Sequence, residues 1–204
     1  MLSYQPGNAF PCLRNKKKGN GENDMATRKL GIVIYGVCND RDGFWEDWLD
    51  RAKELIFMIG YTPTHTGMTG TSFPEKLRTL QRSERKMRTV IANKEPVRAL
   101  SVSSLPKNYH TELDSYCYLD LRVKTWGYYE KYSNYAYCEM NFDECNRELV
   151  EKIKSMLLEF IEMEQCEIFA MDKEQVPYNY VFKGMGDDIS KYRTLEILSR
   201  TDKK

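Results

Sequence analysis

The run Leu30–Cys38 (LGIVIYGVC) carries no charged side chain and is rich in β-branched residues. It is too short for a buried helix and lacks polar alternation, so it predicts a strand covered on both faces, the centre of a sheet. Such a strand requires a neighbour at each edge and a layer above and below, which places the chain among layered, sheet-centred proteins. The 204 residues, 41% of them hydrophobic, suffice for one domain of this kind. Residues 1–29 read as a disordered basic leader, with Pro6, Gly7, Pro11, Gly19 and Gly21 around a lysine triplet, and residues 30–204 as a single α+β domain.

Downstream of the central strand, Trp45, Trp48, Leu49, Ala52, Leu55, Ile56 and Ile59 recur at three-and-four spacing, one face of a helix that Gly60 stops and Asp42 caps. Ser72 and Glu75 have the spacing of a capping box, which predicts a second helix starting there. Its apolar side holds Leu77, Leu80, Met87 and Ile91, and Arg78, Arg82, Arg85 and Lys86 face outward. Val97–Leu105 reads as a strand, Asp143 as the cap of a third helix with a Leu149, Ile153, Met156, Leu157 and Phe160 stripe, and Cys166–Met171 as another strand. The expected fold is one mixed, largely antiparallel sheet with two or three helices packed mainly on one face.

Tyr116–Lys124 and Tyr135–Phe142 alternate cleanly and predict a half-exposed antiparallel hairpin. Cys117, Leu119, Leu121, Val123, Ala136, Cys138 and Met140 belong to its apolar face, leaving Tyr118, Tyr135 and Tyr137 on the other. The connection adds Trp126, Tyr128, Tyr129 and Tyr132. Tyrosine and tryptophan supply stiff amphipathic contact area, so these seven residues are the expected partner-binding set. A second layer covering the strand tyrosines is the competing expectation.

The net charge of +1 is unevenly spread: residues 75–95 hold seven bases against three acids, and residues 139–174 eleven acids against four bases. Such asymmetry suits either a charged partner or simple solvation. Arg78, Arg82 and Arg85 form a weak candidate anion site, and near-neutral overall charge argues against nucleic acid. Six cysteines without a C-x-x-C pair or neighbouring histidines predict reduced thiols and no metal. No apolar stretch reaches the roughly 20 residues of a membrane span, and the start lacks the order of a secretory signal, so a cytoplasmic protein is expected.

Catalytic motifs do not emerge. His65 and His110 each precede a threonine, but the residue two places on is Gly67 or Glu112, which departs from the H-x-[S/T] tripeptides of two-histidine phosphoesterases. The turn Gly36–Gly43 is neither G-x-G-x-x-G nor a P-loop, and the Gly/Thr-rich run His65–Ser72 reads as a loop. These features predict a non-enzymatic protein-binding module with no cofactor, a cytosolic inhibitor or neutralising partner of the toxin-immunity or anti-defence type. The alternatives are a small enzyme acting on a phosphorylated or nucleotide substrate, and a single-stranded nucleic-acid binder whose tyrosines stack bases.

Overall fold

The computed structural model describes residues 28–39, 41–73, 76–123, 134–183 and 189–203. In chain order these form β1 (Arg28–Cys38), α1 (Phe44–Ile59), β2 (His65–Gly70), β3 (Arg78–Thr79), α2 (Leu80–Ala92), β4 (Val97–Ser104), β5 (Cys117–Arg122), β6 (Asn134–Asn141), α3 (Arg147–Leu157), β7 (Ile161–Asp172), α4 (Pro177–Lys183) and β8 (Glu196–Asp202). The eight strands make one sheet in the order β3-β2-β4-β5-β6-β1-β7-β8. Every neighbouring pair is antiparallel, so the fold is α+β.

β1 holds the interior place its composition demands, paired with β6 on one edge and β7 on the other. Leu30, Ile32 and Ile34 face the larger core, and Val33 and Tyr35 face a second core across the sheet. The strand starts at Arg28, ahead of the expected Leu30. Lys29 is buried, its ammonium donating to Asn141 Oδ1 at 2.8 Å and to the Ser115 carbonyl.

Three helices cover the front face. α1 crosses β4 and β5, α2 lies against β2, and α3 sits over β1 and β6. Trp48 anchors α1: it is fully buried, and its indole N–H donates to the Leu100 carbonyl at 2.8 Å. Gly60 ends α1 in the left-handed conformation, φ 103°, which a glycine adopts without a Cβ clash.

Three expected caps are corrected. Gly43, with φ 79°, occupies the cap position of α1, so Asp42 is turned away and pairs with Lys94 at 3.1 Å. Arg78 and Thr79 are extended because they pair with Thr66 and His65, which delays α2 to Leu80; Ser72 instead bonds the Glu95 carboxylate. Glu75 lies outside the described residues. After β6 the chain curls into a short 3-10 turn holding Asp143, and Asn146 caps α3 by accepting from the Leu149 amide at 2.9 Å.

The back of the hairpin is not solvent-facing. α4 and the segment from Ile189 to Leu195 form a partial second layer, under which Val33, Tyr35, Tyr135, Tyr137, Phe169, Met171, Tyr180 and Val181 make the second core. A fourth helix on the opposite face thus joins the expected set of two or three.

Candidate functional site

Beside that layer the back face carries a recess. Three rows cross β2, β4, β5 and β6: His65, Ser103, Tyr118 and Glu139; Gly67, Ser101, Asp120 and Tyr137; Thr69, Ala99, Arg122 and Tyr135. Gly67, Thr69, Ala99 and Ser101 are small, whereas β5 raises Tyr118, Asp120 and Arg122, and the step between them leaves a cavity of about 330 Å³. Lys76, Leu77, Leu113, Ser115 and Tyr178, the last at the start of α4, also line it. A Cβ at Gly67 would come within 2.9 Å of Ser101 Oγ, so the glycine keeps the floor low.

The ionisable groups of the floor are held by tyrosines. Tyr135 donates to Asp120 Oδ2 at 2.9 Å, and Arg122 Nε stands 3.7 Å from the same oxygen. Arg122 also donates to the Tyr178 hydroxyl at 2.6 Å and lies over the Tyr178 and Phe182 rings. Tyr137 donates to Glu139 Oε2 at 2.8 Å. Burial pushes the Glu139 carboxyl above its ordinary range, opposed by the charge of Lys29 and by the Tyr137 hydroxyl. It pushes the Lys29 ammonium down, and the Tyr118, Tyr135 and Tyr137 phenols well up.

Of the expected partner-binding residues, Tyr135 and Tyr137 are buried in the second core, 2% and 0% exposed. Tyr118 is half-buried and lines the recess, edge-on to Tyr137 and Tyr178. Trp126, Tyr128, Tyr129 and Tyr132 lie outside the described residues. Arg78, Arg82 and Arg85 are exposed on β3 and α2, and none of them is among the residues that line the recess. Sequence reasoning missed Ser101, Asp120, Arg122, Glu139 and Tyr178. The one available signal was the run Tyr118, Asp120, Arg122 at alternate positions of a strand, polar groups on the face away from the helices.

Neither histidine is among the residues that line the recess. His65 directs Nδ1 to Thr64 Oγ1 at 2.9 Å and packs its ring edge-on to Tyr109, and burial lowers its pKa. Ser103, its cross-strand neighbour, has a buried hydroxyl with no hydrogen-bond partner among the described residues. His110 donates its backbone N–H to Asp114 at 2.9 Å.

Cys117, Cys138, Cys145 and Cys166 are free thiols, and burial holds the Cys166 thiol up at about 11. Among the described residues no group of three or more His, Cys, Asp or Glu side chains is placed to hold a metal ion, and no helix is long and apolar enough to cross a membrane. The chain matches no protein family, no curated protein and no solved structure.

Proposed function

We propose that the protein is a non-catalytic, cytosolic protein-binding module of the inhibitor or neutralising kind, which takes a projecting group of its partner into the recess on the back of the sheet. The observation that carries this reading is the pre-organised floor, where Asp120 and Glu139 are fixed by Tyr135 and Tyr137 before any ligand arrives. Donors and acceptors held in place do not have to be ordered on binding, so less of the interaction energy is lost. At about 330 Å³ the cavity is at the small end of ligand pockets, a size for one side chain and not for a helix or strand.

The test is a recess-filling substitution. Ser101 is half-buried on the floor, and Ser101→Phe places a ring in the space the partner's group would occupy. Capture on the full chain followed by mass spectrometry is expected to return one stoichiometric protein with the unsubstituted chain and to lose it with Ser101→Phe. A folded Ser101→Phe protein that holds the same partner with unchanged affinity overturns the recess as the contact site.

A further inference from the structure

Resting on that reading of the recess, we infer that the group it takes is a single organic cation, an alkylguanidinium or alkylammonium, seated on the Glu139 carboxylate beside the rings of Tyr118 and Tyr178. Among the described residues the acids and bases that line the recess are Glu112, Asp120 and Glu139 against Lys76 and Arg122, three acids and two bases, one negative charge in surplus. Local pairing shows where the surplus sits. Asp120 and Arg122 answer each other, and Arg122 is further engaged with the Tyr178 hydroxyl and two rings. Lys76 is exposed at the rim. Lys29, whose charge opposes the burial of Glu139, donates to two neutral acceptors, Asn141 Oδ1 and the Ser115 carbonyl, and makes no hydrogen bond to Glu139 among the described residues.

That leaves Glu139. Its side chain lines the cavity, is 5% exposed, and its hydrogen bond among the described residues is the one from Tyr137 to Oε2. A buried carboxylate short of donors gains most from a ligand bringing N–H donors and positive charge together. Tyr118 and Tyr178, edge-on to each other with centroids 5.8 Å apart, both line the cavity; Tyr178 already carries Arg122 over its ring, and Tyr118 adds aromatic surface of the kind that attracts cations. Glu112, exposed at the rim, favours the approach of the same sign of charge.

A side chain of a protein partner and a free small amine share this chemistry, and the experiment separates them. The full chain, isotope-labelled, is titrated in separate arms with acetyl-arginine amide, acetyl-lysine amide, agmatine, the neutral isostere acetyl-citrulline amide, and acetyl-glutamate amide, with amide resonances of Ser101, Tyr118 and Glu139 followed by NMR. Saturable shifts with at least one cation and none with citrulline are expected, and Glu139→Gln should weaken the cation about tenfold or more. Agmatine binding well ahead of the amino-acid amides would keep the cation assignment and assign the site to a free amine, overturning the protein-partner reading. Shifts with citrulline equal to those with arginine, shifts with glutamate alone, or affinity unchanged in Glu139→Gln each overturn the cation assignment. A protein partner lost in Ser101→Phe alongside any of those three results leaves the recess as the contact site and removes only the cation.

Discussion

Glu139 is 5% exposed and among the described residues accepts one hydrogen bond, from Tyr137, which is incomplete satisfaction for a buried acid. Its carboxyl is raised above the ordinary 4.5 by burial, with Lys29 and Tyr137 pulling the other way. A folded-state pKa above the unfolded one means the native protein holds this proton more tightly, so Glu139 favours folding below about pH 4.5 and loses that contribution as pH rises through its folded pKa. Glu139→Gln retains an acceptor for Tyr137 without the charge. The variant is therefore expected to melt higher than the unsubstituted protein at about pH 8, with the gap closing toward about pH 4. Melting curves across that range check it. A gap of constant size, or a variant that melts lower at high pH, would mean that attraction to Lys29 outweighs burial.

At the scale of elements, α4 has seven residues, too few to be stable as an isolated helix, so tertiary contacts must hold it. Tyr178 meets Arg122, Tyr180 donates to buried Glu167 at 2.7 Å, and Tyr35 donates to the Val181 carbonyl at 3.2 Å. Glu167 also takes Arg200 from β8 at 2.7 Å, so one carboxylate ties α4, β7 and β8 together. Tyr180→Phe leaves one of its oxygens short of a donor, a loss of about 1–3 kcal/mol. Amide exchange in α4 should quicken about tenfold or more while α1, on the other face, keeps its protection. Equal loss of protection in α1 would show that α4 does not open on its own.

The same elements show what was legible in the sequence. β1 follows from an unbroken apolar run, α1 and the facing of α2 from helical spacing, and the structure places Leu30, Trp48 and Met87 in the front core accordingly. Alternation also separated Tyr135 and Tyr137 from Cys138 and Ala136. It could not show what lay over the tyrosines, because their cover is Pro177–Lys183 and the segment near Tyr192, short pieces without a helical stripe. The caps failed because a positive-φ glycine at position 43 and the pairing of Arg78–Thr79 with β2 are tertiary settlements that local motifs do not encode. The recess was hidden for a related reason. Its floor joins Gly67, Ser101, Asp120 and Glu139, which meet only through strand register.

For the molecule as a whole, β1 is the shared wall of two cores. Ile32 and Ile34 pack under the helices of the front face, and Val33 and Tyr35 pack beneath α4 on the back. Neither core can lose β1 and survive, and β1 is itself held by β6 and β7, each of which contributes to both. The two layers should therefore unfold together, although α4 opens locally at lower cost. Phe169 and Trp48 provide the test, since Phe169 is fully buried in the back core and Trp48 fully buried in the front. Phe169→Ala removes a ring stacked on Tyr137 with centroids 6.4 Å apart, a loss of roughly 3–5 kcal/mol. In a domain of this size that lowers Tm by about 10 °C. With Trp45 and Trp126 replaced by phenylalanine, the fluorescence of Trp48, on the far side of the sheet, is expected to report the full shift, coincident with the loss of far-ultraviolet circular dichroism. If the Trp48 transition stays where it was while the dichroism shows a new early phase, the two cores are separate cooperative units and β1 does not couple them.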